Sequence, residues 1–305
     1  MENNMNPQSS VSRPSPKLSI IRTLMKLGYK VPGRRTLKLY SLCEQVRKYY
    51  AQVPQSVIID DLDSNLKIQV DLSEHIGSKI FWQGSYSQNE LDVLKNHLAV
   101  DDTFIDIGAN IGLFTLFAAK RLHSGQVYAF EPASVLFKRL STNVEANGFQ
   151  QVHLFRLGLS DRDSEMKIYF PIESDNHGTF NDGMASLFSE KEGWRAEEVV
   201  CLKTLDSFVQ QQQLQRIDFV KIDIEGAELM ALRGAKETLK TFRPKILIEV
   251  NEEACERAGY QGIDILKYLR QFGYNFYFIN ERGSLAPCNQ ENLSRWQNLL
   301  CLPTN

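Results

Sequence analysis

Cysteine is scarce and scattered in this chain: Cys43, Cys201, Cys255, Cys288 and Cys301 are five in number and form no Cys-x-x-Cys pair. A structural zinc site needs clustered ligands, so the pattern argues against one. The thiols read instead as buried or half-buried groups in a reducing compartment. A surplus of either charge is missing too, with 35 basic against 37 acidic side chains and a formal charge of -2. Proteins that grip a phosphate backbone usually carry a basic excess, so a nucleic-acid partner is not expected. No long apolar run occurs. The densest, from Ile111 to Ala119, ends at Lys120 and Arg121 and is far too short for a hydrocarbon layer of ~30 Å. The polar residues 1–16, rich in Ser, Asn and Pro, hold no apolar core of a secretory signal. The expectation is a cytoplasmic protein with no membrane span.

What remains is an ordinary globular balance: 305 residues, 43% hydrophobic and 24% charged, enough for one or two domains with full cores. Residues 1–16 read as a disordered tail. Residues 17–85 read as a helical extension followed by a β-hairpin. Leu18, Ile21, Leu24, Met25 and Leu27 recur at helical spacing until Gly28 is expected to break the segment. A second stretch carries Leu37, Tyr40 and Val46. Val57-Ile-Ile and Leu66-Lys-Ile-Gln-Val70 flank a polar turn, and residues 89–98 suit a short helix.

Residues 86–305 read as one main domain, and beyond Asp101 its rhythm becomes strand, helix, strand, helix. Apolar strands are expected at 103–107, 127–130, 152–156, 219–222, 244–250, 275–279 and 299–302. Between them lie helices from Ile111, from Pro132, around Leu229 to Leu239 and around Ile265, and Asn110 is a suitable N-cap for the first. Short apolar strands alternating with amphipathic helices predict an α/β fold, a parallel sheet covered on both faces. Residues 157–216 interrupt this rhythm. Met166 to Phe170 alternates like an extra strand, and Asp175 to Gly183 is polar and aperiodic. Such insertions commonly grip the acceptor.

Open α/β sheets bind ligands beyond the carboxyl ends of their strands. The first candidate is Asp106-Ile-Gly108-Ala-Asn110-Ile-Gly112, a glycine turn between strand and helix. The second is Glu131, 23 positions after Gly108, whose carboxylate can accept hydrogen bonds from both ribose hydroxyls. A dinucleotide fingerprint would need Gly-x-Gly-x-x-Gly to bring a pyrophosphate against the backbone. Here the middle glycine is absent, and an acidic Asp106 suits the ammonium of S-adenosyl-L-methionine better than a pyrophosphate. An NAD- or nucleotide-binding enzyme and a catalytically inactive binding module stay open as alternatives.

Asp106-Ile-Gly-Ala-Asn-Ile-Gly112, Phe130-Glu-Pro132, Thr204-Leu-Asp206, Lys221-Ile-Asp-Ile-Glu-Gly-Ala-Glu228 and Ile248-Glu-Val-Asn251 together resemble the signature blocks of the FkbM-type methyltransferases. A histidine is common there where Asn251 stands. The resemblance covers about residues 86–303. It implies a Rossmann-like, seven-stranded methyltransferase sheet, mostly parallel with an antiparallel edge. It also implies methyl transfer from S-adenosyl-L-methionine to a small-molecule hydroxyl acceptor, a sugar or secondary metabolite.

Strand alternation puts Lys221 and Asp223 on one face. Asp223 is expected to position donor or acceptor, and Lys221, Asp223, Glu225 and Glu249 to include the proton acceptor. A buried Lys–Asp pair that only neutralises itself is the plainer alternative. Asp223, Glu225 and Glu249 could instead hold magnesium, although no metal is expected. Glu228 suits a helix start. Leu159 and Ser160 are placed to flank the adenine, or to make an ordinary turn. His177, Ser186, Phe180, Phe188 and Trp194 lie in the insertion and are open between acceptor contact and packing or solvation. The acceptor's identity and the oligomeric state are not written in the sequence.

Overall fold

The computed structural model describes residues 12–30, 39–52, 55–171, 185–188, 193–288 and 293–304. The chain falls into two compact units that part at Tyr86 and Ser87. Residues 1–11 of the expected tail, Leu37, the stretch from Asp175 to Gly183, His177 and Phe180 lie outside the described residues.

In the first unit, Ser12 already pairs with Val57. Helix α1 spans Pro16–Lys30 and α2 spans Leu39–Ala51. Gly28 does not break α1 as expected; it is a buried residue of the last turn. Strands β1 (Ser56–Leu62) and β2 (Leu66–Asp71) form the expected antiparallel hairpin. Helix α3 (His75–Gln83) was not foreseen. It buries Ile80, Phe81 and Trp82 in succession, so the polar face that marks a helix in sequence is missing. Arg47 of α2 is buried and donates from Nε to Ser78 Oγ of α3 at 3.0 Å.

The second unit opens with α4 (Gln88–His97). It then builds the sheet from β3 (Thr103–Ile107), β4 (Gln126–Phe130), β5 (Val152–Phe155), β9 (Phe219–Ile222), β10 (Lys245–Asn251), β11 (Tyr274–Ile279), β12 (Leu285–Pro287) and β13 (Trp296–Pro303). Their spatial order is β12-β11-β13-β10-β9-β3-β4-β5. The seven expected strands are all present, and the three-residue β12 adds an eighth at the edge. From β5 to β10 every pairing is parallel. β13 inserts antiparallel between β10 and β11, so β11 again runs in the direction of β10 and only β13 and β12 oppose it. The chain order reverses between β3 and β9, which opens the ligand crevice at that point of an α/β sheet.

Helices α5 (Leu113–Ala119), α6 (Ser134–Asn147), α8 (Glu228–Arg233), α9 (Lys236–Thr241) and α11 (Gly262–Arg270) alternate with the strands. Leu136, Leu140 and Val144 are the buried stripe of α6, and Gly148 ends it in a left-handed turn. Asn110 is not the N-cap of α5. That position belongs to Gly112, while Asn110 itself is left-handed, with φ 52°. The insertion forms a separate three-stranded sheet, β6 (Gly158–Leu159), β7 (Ser164–Pro171) and β8 (Trp194–Lys203), in the order β6-β8-β7; β7 contains the extra strand expected at Met166 to Phe170.

Two short helices explain the Thr204-Leu-Asp206 block. Thr204 caps α7 (Leu205–Gln212) by accepting the Ser207 N–H at 3.0 Å. Asp206 reaches from α7 to the start of α9, where it accepts the Glu237 and Thr238 N–H groups at 2.9 and 2.8 Å and the Thr238 hydroxyl at 2.7 Å. The block therefore staples helices rather than touching ligand. Asp206→Ala should lower unfolding free energy by about 1–3 kcal/mol in denaturant titration while leaving donor affinity intact.

Candidate active site

The glycine turn leaves the buried strand β3 and folds back under the end of β4. Every N–H from residue 108 to 112 is used inside the protein. Gly108 and Ala109 donate to the Phe130 carbonyl at 3.0 and 2.9 Å, and Gly112 donates to the Ala109 carbonyl at 2.9 Å. Asn110 donates to Glu131 Oε2 at 2.9 Å, and Ile111 to Asn110 Oδ1 at 2.7 Å. No amide of this turn is left to cradle a pyrophosphate, which such sites require. The turn has a different purpose, close approach. Gly108 has φ +79°, and a β-carbon there would collide with the Asp223 carbonyl oxygen. Gly112 faces away from the cleft, against Leu140.

Glu131 directly follows β4 and is almost wholly buried, its Oε1 accepting the Ala133 N–H at 2.9 Å. Each carboxylate oxygen keeps a further lone pair. Burial lifts its pKa to about 7 against the pull of those two amides. Phe130 behind it stacks on Phe155 and meets Phe208 edge-on, at centroid distances of 5.4 and 4.7 Å, so packing fixes where Glu131 points.

A cleft of about 600 Å³ runs from this carboxylate along the strand ends. Gly108, Asn110, Glu131, Leu159, Asp223 and Glu225 line it. Sequence reasoning missed its apolar wall, in which Ile107, Leu136, Leu157, Ile168 and Ile224 take part. These residues carry no chemistry-bearing group, and only the folded insertion brings Ile168 to β4. Ser160, expected beside the adenine, does not line the cleft; its N–H is spent on the Lys203 carbonyl at 2.9 Å.

Asp106 does not face the cleft either. It is fully buried, accepts the Thr115 hydroxyl at 2.6 Å and lies 3.8 Å from Lys221 Nζ. Burial raises its pKa, and it acts on the turn from beneath rather than meeting a ligand's ammonium. Lys221 donates to the Gly108 carbonyl at 3.0 Å and stands 3.4 Å from Asp223 Oδ2. Burial works against its charge, but Asp223 and Asp106 outweigh that and hold its pKa above the ordinary value. A committed ammonium has no lone pair for a proton, which removes Lys221 from the set of expected proton acceptors.

The three remaining candidates converge. Oxygens of Asp223, Glu225 and Glu249 all lie within 4.8 Å of one another. Glu249 accepts the Trp296 indole N–H at 2.7 Å through Oε1, while its Oε2 and Glu225 Oε2 are buried without a hydrogen-bond partner. Burial, then Asp223 and Glu228, raise the Glu225 pKa to about 8; burial with Asp223 and Glu225 raises that of Glu249 well above the usual range. Crowded carboxylates of this kind hold protons or a hard cation. Glu228 accepts the Ile224 N–H at 3.0 Å and the Gly226 N–H at 3.0 Å, and the Tyr260 hydroxyl at 3.1 Å. It thereby shapes the loop that carries Glu225, whose φ is +51°. Ser186 donates to the Glu225 carbonyl at 2.9 Å, so it braces the same loop. Phe188 and Trp194 lie away from the first cleft, beside Arg257.

Sheet order and glycine turn define a Rossmann-like methyltransferase architecture. Residues 106–276 match the family described as the methyltransferase FkbM domain. The chain is 28% identical over 235 residues to the AMB antimetabolite synthetase AmbE of Pseudomonas aeruginosa, covering 68% of this chain and 11% of that protein. It is 32% identical over 170 residues to methyltransferase sdnD of Sordaria araneosa, covering 48% and 66%. It is 25% identical over 186 residues to the hexuronic acid methyltransferase AglP of Haloferax volcanii, covering 60% and 68%. The matched region thus spans about a tenth of AmbE and two thirds of the other two. The chain belongs to the FkbM methyltransferase family, whose methyl donor is S-adenosylmethionine. Among the described residues, no helix is long and apolar enough to cross a membrane.

Glu131→Ala removes a carboxylate with lone pairs to spare and leaves the Asn110 and Ala133 amides unpaired. Titration calorimetry with S-adenosylmethionine should show affinity at least about tenfold weaker, given hydrogen bonds to a charged group worth about 1.5–3 kcal/mol each. Unchanged affinity would remove Glu131 from the donor site.

Proposed function

We propose that this protein transfers a methyl group from S-adenosylmethionine to a hydroxyl of a small molecule, a sugar or a secondary metabolite. One observation carries the reading: a single cleft joins the Glu131 carboxylate and glycine turn at one end to the Asp223 and Glu225 carboxylates at the other. In this reading Glu131 accepts the ribose hydroxyls, and Leu157 and Leu159 cover the adenine. Gly108 lets the donor lie close to the end of β9. The donor supplies a sulfonium methyl group already activated toward an oxygen nucleophile. The protein's share is alignment, exclusion of water and removal of the hydroxyl proton.

Glu225 is the proton acceptor in this proposal. It lines the cleft, as Glu249 does not, and its raised pKa makes its ionised form a stronger base than an ordinary carboxylate. Burial first, then repulsion from Asp223 and Glu228, hold that pKa up, and Lys221 keeps Asp223 and Gly108 in place. A general base works only when deprotonated. The rate should therefore rise with pH up to about 8, where Glu225 titrates, and then level off. Glu225→Gln should lower kcat by about 100-fold or more and erase that rise while donor affinity persists. An unaltered pH–kcat profile in the variant would reject Glu225 as the base.

The mutual 4.8 Å limit on the three carboxylates favours a second reading, in which a divalent cation at this point polarises the hydroxyl. Activity assayed in excess chelator separates the two: full retention leaves proton acceptance alone. Calorimetry with S-adenosylmethionine and with NAD, together with mass spectrometry for metabolites that gain 14 mass units (one methyl for one hydrogen), tests the proposal as a whole. Binding of NAD without the methyl donor would overturn it, and donor binding with no methylated product would indicate a binding module. The hexuronic acid acceptor of AglP supports a sugar acceptor.

A further inference from the structure

Helix α10 (Glu252–Arg257) follows β10 and ends in an arginine whose donors are not matched. Arg257 Nη1 stands 3.6 Å from Glu253 Oε1, a carboxylate that is itself 74% exposed. Nε and Nη2 are buried and have no hydrogen-bond partner. Those two nitrogens form the side-on edge of the guanidinium, the fork that fits both oxygens of one carboxylate. The same molecule shows the edge in use: Arg216 holds Asp218 by Nε to Oδ2 at 2.7 Å and Nη2 to Oδ1 at 2.9 Å. In Arg257 that edge is vacant, and unmatched buried donors cost stability that a structural arginine has no reason to forgo.

The surroundings are those of a ligand wall. Arg257 borders an open cleft of about 790 Å³ with Met166, Lys167, Tyr169, Leu187 and Phe188. The Trp194 ring lies 5.8 Å from its guanidinium carbon. Leu187 lines this cleft and the donor cleft alike, so the two are adjacent. Arg257 is close enough to Glu225 to lower its pKa, yet no ion pair joins them, and Glu225 Oε2 is also without a partner. Arg257 lines one cleft and Glu225 the adjoining one, and each keeps buried polar atoms without a hydrogen-bond partner.

We infer that the acceptor is a hydroxylated carboxylic acid, its carboxylate held side-on by Arg257 while its hydroxyl meets Glu225. The inference rests on the methyltransferase reading and adds the acceptor's chemical class. The neighbouring Lys167 favours the same sign of ligand, and the rings of Phe188 and Tyr169 offer apolar faces to a sugar or chain.

The full chain, loaded with S-adenosylhomocysteine, is titrated with glucuronate, with glucose as the neutral analogue and with inorganic phosphate. Saturable glucuronate binding at least about tenfold tighter than glucose is expected, together with at least a tenfold loss of it in Arg257→Gln. The variant should keep its donor affinity and stay folded, because beyond the two unpartnered nitrogens it removes only the ion pair to the exposed Glu253 and the ring contact with Trp194. Where methyl transfer to glucuronate is measured, the substitution should raise KM far more than it lowers kcat. Equal binding of glucuronate and glucose, no binding of either, or an Arg257→Gln variant that binds glucuronate normally would each overturn the inference. Phosphate binding that matches glucuronate would overturn the carboxylate assignment by showing a general anion site. Loss of binding to S-adenosylmethionine itself, in the unaltered protein, would instead mark failure of the methyltransferase reading.

Discussion

The Lys221 ammonium touches three parts of the site at once: the Gly108 carbonyl at 3.0 Å, Asp223 at 3.4 Å and Asp106 at 3.8 Å. The glycine turn, the strand beneath it and the tip of β9 are thereby fixed by one cation. A fully buried Asp106 would be costly alone, since an uncompensated charge in a protein interior is strongly disfavoured. Beside Lys221 and the Thr115 hydroxyl it becomes the floor on which the turn rests. Gly108 then completes the arrangement by omission, because any side chain there would push against the Asp223 backbone. The cleft and the carboxylate cluster owe their relative position to this pairing.

Much of this was readable in advance. Strands β3, β4 and β9 are short apolar runs closed by Asp, Glu or Gly, and their places follow directly from the period and the turns. Glu131 and Asp223 were found by asking what ends a strand at a crevice. The direction of carboxylates inside the protein was harder to read. Asp106 and Asp223 share a residue type and a strand-end setting, yet one is sealed under the turn and the other is 37% exposed at the cleft. Asp106 lies within β3, in register with Lys221 and covered by Thr115 of α5, whereas Asp223 follows the end of β9. Lys221 was open as a base because sequence cannot count neighbouring charges. Helix α3 was invisible because consecutive buried residues hide the helical period.

The turn's amides are all engaged within the protein, so in the proposed function recognition of the donor falls to side-chain carboxylates and to shape. That suits a ligand carrying positive charge. Glu131, Asp223 and Glu225 surround a cleft that otherwise shows apolar walls. In a low-dielectric setting such groups distinguish a sulfonium from a neutral thioether more sharply than water would. Burial, and then the same crowding, raise the pKa of Glu225; under the proposed function that makes its ionised form the stronger base.

Strand β13 has a place in the sheet that its position in the chain does not suggest. Residues 296–303 enter between β10 and β11, pairing with both, and deliver the Trp296 indole to Glu249. Two earlier strands must therefore wait, side by side but unjoined, for a later one to fill the slot. Their exposed edges are open to wrong partners during that interval, and the loop closures involved are long. Completion of the carboxylate cluster thus depends on a strand that lies well beyond β10 in the chain, and a chain that has not yet closed its sheet has Glu249 without the Trp296 indole.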